Sequence, residues 1–179
     1  APTLGALAIK GAIDRIGLDS NLIDEVLMGH VVQAGTGQGP ARQAAIGAGL
    51  PNHVPCTTIN KVCSSGLKSV ILAAQSIASG SIEIAIAGGM ENMSTIPHYA
   101  HLRQGIKFGS SSLIDGLLLD GLTDPFDKEA MGTCADLCAT EYNFSREEQD
   151  AFAEQSYKRS TAAWDSGKFN EEVIAVEVP

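Results

Sequence analysis

The residues of this chain best suited to chemistry are Asn60-Lys61-Val62-Cys63-Ser64-Ser65-Gly66-Leu67-Lys68. The β-branched Thr57, Thr58, Ile59 and Val62 predict a strand over 56–62, and the apolar spacing after Gly66 predicts a helix. Cys63 then falls at a strand-to-helix junction, where free N–H groups and the positive end of the helix dipole converge and favour negative charge on sulfur. A cysteine so placed is a nucleophile, and the same N–H groups suit the oxyanion of a thioester under attack. Gly66 permits close approach of a ligand or of another backbone. Position alone leaves open the alternative that Cys63 is a small buried residue, a frequent state of free cysteine.

Other reactive side chains are less well placed. Cys134 and Cys138 lie one helical turn apart, but two thiols without a third and fourth ligand do not make a structural zinc site, so packing is the preferred reading and no metal is expected. His30, His53, His98 and His101 show no metal spacing. His30, within Gly29-His30-Val31-Val32-Gln33, is expected to be buried and hydrogen-bonded, with a place near the reactive cysteine as the alternative.

Such residues need a scaffold, and the composition points to one. Apolar residues make up 44% of the chain and aromatics only 5%, a balance that suits helices packed closely on a sheet, hence an α/β fold. A net charge of -9, with twelve scattered Lys and Arg, argues against nucleic acid as a partner. It leaves room for a polyanionic ligand of the coenzyme A type, which local cations and helix N-termini can hold. The four cysteines read as thiols rather than a disulfide framework. No apolar stretch has the length of a membrane span and no basic leader precedes an apolar run, so the expectation is no membrane and a cytoplasmic location.

Periodicity divides the chain further. A helix over 3–16 should stop at Gly17, a buried strand should run through 24–32, and residues 33–39 should form a glycine-rich loop before a helix over 40–47. After the strand at 56–62, a helix over 67–79 carries Leu67, Val70, Ile71, Ala74 and Ile77 on one stripe, with Gly80 at its end. Residues 82–87 should form a buried strand closed by a tight Gly88-Gly89 loop, giving the order β, α, β, α, β. Composition changes after Met90: residues 92–121 are irregular, and a boundary near Ser94 separates 1–93 from 94–179. Ser145-Arg146-Glu147-Glu148 is a capping-box match opening a helix to Asp165, and a last strand is expected over 173–178.

Several segments together resemble the thiolase family. Cys56-Thr57-Thr58-Ile59-Asn60-Lys61-Val62-Cys63-Ser64-Ser65-Gly66 is similar to its nucleophile region, and Ala87-Gly88-Gly89-Met90-Glu91-Asn92-Met93-Ser94 to the strand end that follows. Residues 35–45, reading GTGQGPARQAA, resemble the loop and helix upstream. Asp120-Gly121-Leu122-Thr123-Asp124 with Met131-Gly132-Thr133 resembles a CoA-proximal region, and residues 145–164 resemble the next helix. These segments stand in family order over nearly the whole chain. Residues 100–107 and the Gly-Leu-Thr-Asp segment are most like the short-chain members that form acetoacetyl-CoA.

The resemblance implies a thiolase-type α/β fold, with 1–93 as most of the first βαβαβ half, lacking an opening strand, and 94–179 as an incomplete loop domain. It implies an acyltransferase that joins two acetyl-CoA into acetoacetyl-CoA, and runs the reverse thiolysis, through an acetyl-cysteine at Cys63. The Cys63 backbone N–H would contribute to an oxyanion hole, and Leu122 and Met131 would line the substrate and pantetheine region. No cofactor is implied, coenzyme A thioesters being substrates. A histidine that activates the nucleophile, an asparagine-histidine pair and a second cysteine belong to a C-terminal half whose motifs do not occur in these residues, so this portion alone is expected to be inactive. Ala130 replaces a histidine common in short-chain members, which opens the alternative of a longer-chain 3-ketoacyl-CoA thiolase. A further alternative is a catalytically silent oligomerisation module. The family assembles as homodimers or homotetramers, with residues 98–114 resembling the segment that joins dimers.

Overall fold

In a computed structural model that describes residues 1–177, the first helix, α1 (Pro2–Ile16), begins with a proline in its first turn. It ends where Gly17 adopts φ 63°, a left-handed conformation glycine enters without steric cost. Then follow β1 (Glu25–Gly29), α2 (Pro40–Gly47), β2 (Cys56–Ile59), α3 (Ser65–Ala78) and β3 (Ala85–Gly89). The three strands form one parallel sheet of order β2-β1-β3, in which Val26 stands beside Cys56 on one side and Ile86 on the other. The architecture is α/β. As the central strand, β1 is covered on both faces, which is why its Val26-Leu27-Met28 run is continuously apolar.

Side-chain alternation along β1 assigns the two faces. Val26 and Met28 join a core with Ile9 of α1, Ala41, Ala44 and Ala45 of α2, and Leu50, Val54 and Met90. Leu27 and Gly29 point the other way, and Gly29 meets the first turn of α3. Small residues let the layers approach: a Cβ on Gly5 would lie 3.1 Å from the Ala44 Cβ, and one on Gly47 would lie 3.0 Å from that of Ala6.

The strands depart from expectation at their ends. β1 stops at Gly29 rather than at Val32, because the Val31 and Val32 N–H groups donate to the Glu91 carboxylate instead of to a strand. β2 stops at Ile59, so a turn over 60–64 separates it from α3. β3 starts later than expected and includes Gly88 and Gly89, which pair with Met28 and Gly29 rather than forming a loop. The stripe of α3 also faces differently. Ser65, Ser69 and Ala73 are its buried residues, while Leu67, Val70, Ile71 and Ile77 are exposed, because the glycine-lined strand ends admit only small side chains.

Two compact units are present, Ala1–Gly121 and Leu122–Glu177. The boundary after residue 93 is one of composition, since residues 94–121 belong to the first unit: β4 (His98–Tyr99) pairs antiparallel with β5 (Ile114–Asp115), and a Cβ on Gly116 would lie 2.7 Å from the Pro97 carbonyl oxygen. Leu118–Leu122 forms a π-helical turn. In the second unit are α4 (Met131–Glu141) and α5 (Arg146–Asp165); α5 opens with both halves of the Ser145/Glu148 capping box. The strand expected over 173–178 is not formed by residues 173–177, and Val178 lies outside the described residues. Among the described residues no helix is long and apolar enough to cross a membrane.

Candidate active site

Cys63 is exposed and lies two residues ahead of α3, in the turn that follows β2. In this structure Cys63 is therefore not a buried packing residue. α3 is carried onto the sheet by backbone-to-backbone contact. A Cβ on Gly29 would lie 2.5 Å from the Gly66 nitrogen, and a Cβ on Gly89 would lie 3.2 Å from the Gly66 Cα. Gly66 thus admits another backbone, one of the two roles its type allows.

The turn itself is held by side chains. Val62 has φ 50°, a left-handed conformation disfavoured for a β-branched residue. Its N–H donates to Asn60 Oδ1 at 3.0 Å, and its carbonyl accepts from Ser65 Oγ at 2.6 Å. Ser65 Oγ, on a buried residue, also accepts the Lys61 N–H at 2.8 Å. Asn60 Nδ2 reaches across to the Val31 carbonyl at 3.1 Å.

Next to this turn sits His30, only 1% exposed, whose backbone N–H donates to the Ile59 carbonyl at 3.0 Å. Its Nε2 lies 3.1 Å from Glu91 Oε1, an ion pair when the ring is protonated. The expectation of burial holds, and the ring's charged neighbour is the Glu91 carboxylate, whose other oxygen, Oε2, accepts the Val31 N–H at 2.9 Å. Burial pushes the His30 pKa below its ordinary 6.5, with the Glu91 charge pulling the other way.

The remaining candidates are dispersed. Leu122 ends the π-helical turn and Met131 begins α4; both are exposed and belong to the second unit. Cys134 is half-buried and Cys138 exposed, and α4 has no buried residue, so neither is a core packing residue in this structure. Among the described residues no group of three or more His, Cys, Asp or Glu side chains is gathered to hold a metal ion. His98 lies 3.8 Å from Asp115, and the ring of His101 meets Tyr99 edge-on. Sequence reasoning missed the roles of Asn60, Ser65 and Glu91. An Asn two residues ahead of a turn was a usable signal for the first; nothing local pointed to Glu91, whose partners are about sixty positions away.

The comparisons with known proteins agree with this construction. A match to the family described as "Thiolase, N-terminal domain" spans residues 1–179, and the chain belongs to the thiolase family. It is 52% identical to an acetyl-CoA acetyltransferase of Schizosaccharomyces pombe, an alignment that covers 100% of this chain and 46% of that protein. It is also 52% identical to a cytosolic acetyl-CoA acetyltransferase of Gibberella zeae, over 100% of this chain and 45% of the relative. Identity to the mitochondrial acetyl-CoA acetyltransferase of Homo sapiens is 49%, over 99% of this chain and 42% of the relative. The chain thus spans about half the length of the curated relatives it matches.

Proposed function

We propose that this chain is the nucleophile-bearing portion of an acetyl-CoA C-acetyltransferase, with Cys63 accepting an acetyl group from acetyl-CoA. The observation that carries the reading is an exposed cysteine at the mouth of a helix docked on a parallel sheet, in a chain about half identical to proteins bearing that name. In this account the sulfur attacks the thioester carbonyl, a C–S bond forms to Cys63, and coenzyme A leaves as its thiol after taking up a proton. The acetyl-cysteine stays an activated ester, open to attack by the methyl carbon of a second acetyl-CoA as it gives up a proton; that attack breaks the C–S bond to Cys63, whose sulfur ends with that proton as the thiol, and yields acetoacetyl-CoA. Thiolysis is the reverse.

Leu122 and Met131, both apolar and exposed, are the proposed contacts for the acyl-CoA chain. Acetyl-CoA, acetoacetyl-CoA and coenzyme A are the proposed partners, with no further cofactor. Assembly as a homodimer or homotetramer and a cytoplasmic location belong to the same reading; relatives named cytosolic and mitochondrial match almost equally well, so location is the less constrained of the two.

In the full-length protein, Cys63→Ala should abolish acetoacetyl-CoA thiolysis while the thermal midpoint stays near that of the parent, because the side chain is exposed. Thiolysis that persists in Cys63→Ala contradicts the assignment. Rates that climb steadily with acyl length favour the longer-chain 3-ketoacyl-CoA alternative, for which Ala130 is the motivating residue.

A further inference from the structure

We propose, resting on Cys63 as the acyl acceptor, that Asn60 is a positioning residue: its amide holds Val62 in a left-handed backbone conformation and thereby sets the aim of Cys63. Val62 sits at φ 50° although its side chain is branched at Cβ. Strain of this kind persists only where the surroundings enforce it. Val62 does not offset it by burying itself, since its side chain is 56% exposed. The enforcing contacts are therefore polar and local.

Both peptide groups that define the Val62 conformation are held. Asn60 Oδ1 accepts the Val62 N–H at 3.0 Å, and Ser65 Oγ donates to the Val62 carbonyl at 2.6 Å. Ser65 is buried in the first turn of α3, so its end of the clamp is fixed by the helix. Asn60 is exposed and gains its rigidity from a second bond, Nδ2 to the Val31 carbonyl at 3.1 Å. Val31 is in turn tied through its N–H to Glu91 Oε2 at 2.9 Å. Two side chains, Asn60 and Glu91, thus connect the nucleophile turn to the segments that follow β1 and β3. Cys63 is the next residue after Val62, so a change in the Val62 backbone rotates the sulfur and its N–H together.

The test compares full-length protein with Asn60→Ala, Asn60→Ser, Val62→Gly and the Asn60→Ala/Val62→Gly double variant. Ser keeps an oxygen able to accept the Val62 N–H. Gly enters the left-handed region without strain and has less need of the clamp. Asn60→Ala should slow acetyl transfer to Cys63 by about tenfold or more while KM stays within about twofold, as misplacement of a reacting group does. Asn60→Ser, which keeps an acceptor for the Val62 N–H but loses the tie to Val31, should recover part of the loss, and the double variant most of it. Iodoacetamide alkylation of Cys63, which does not depend on an acyl-CoA, should follow the same order of variants.

An Asn60→Ala protein at parent rate overturns the proposal, as does a double variant as slow as Asn60→Ala alone. A lowered thermal midpoint with unchanged kcat would assign Asn60 to stability only, and also overturns it. If the parent protein takes no acetyl group, the acyl-acceptor reading fails, and the alkylation series alone then decides whether Asn60 orients the sulfur.

Discussion

His30 shows what a single side chain contributes next to the reactive turn. It is buried, and burial disfavours its charged form so that its pKa falls below 6.5 despite the neighbouring Glu91 carboxylate. The folded protein then binds fewer protons at this site than the unfolded chain does. Stability tied to His30 is therefore present above pH 6.5 and is lost progressively as pH falls beneath it, toward the folded-state value. Urea midpoints of full-length protein at about pH 7.5 and about pH 5.5 should differ less in His30→Asn than in the parent; an unchanged difference would place the titration elsewhere. The junction ahead of α3 was legible from its own surroundings in sequence, because a β-branched run leading to small residues and then a helical stripe marks one, whereas position alone left open whether Cys63 is buried. Glu91 was not legible, because its role arises from contact with Val31 and Val32, far away in sequence.

At the scale of elements, the glycines decide where the reactive turn can sit. Gly29 has no side chain because a Cβ would lie 2.5 Å from both the Gly66 nitrogen and the Ser65 carbonyl carbon, backbone atoms with no freedom to yield. Gly29→Ala should therefore push the α3 N-terminus off the sheet, cost about 1–3 kcal/mol as other overpacking substitutions do, and slow Cys63 acetylation as well. Denaturant unfolding checks the first effect and acyl-enzyme formation the second. In the second unit, Ser145→Ala should cost about 1 kcal/mol of local helix stability, read by hydrogen exchange at the start of α5. The capping box, α2 between Pro40 and Gly47, and the Gly17 stop could all be read from sequence because each is set by residues within a few positions. The strand ends could not. Gly88 and Gly89 read locally as a tight loop, and only their pairing with Met28 and Gly29 makes them strand. For α3 the spacing of apolar residues was right and its meaning was not, since the sheet-facing side is the one with Ser65, Ser69 and Ala73.

Across the whole molecule, burial is uneven. The core lies on the α1/α2 side of the sheet, whereas Leu67, Val70, Ile71 and Ile77 of α3 are exposed, and α4 and α5 have no buried residues. A contiguous apolar helix face in water favours association. The 179-residue chain on its own should accordingly bind the dye ANS strongly and self-associate, and Leu67→Lys/Ile71→Glu should reduce both; a monomer with weak dye binding would contradict this. The most direct test of the central claim is made on the full-length protein: incubate it with acetyl-CoA, quench, digest and locate the acetyl group by mass spectrometry. The account predicts one acetyl group on the peptide bearing Cys63, absent from Cys63→Ala. Acetylation at Cys56, Cys134 or Cys138 instead, or at no cysteine, would contradict it.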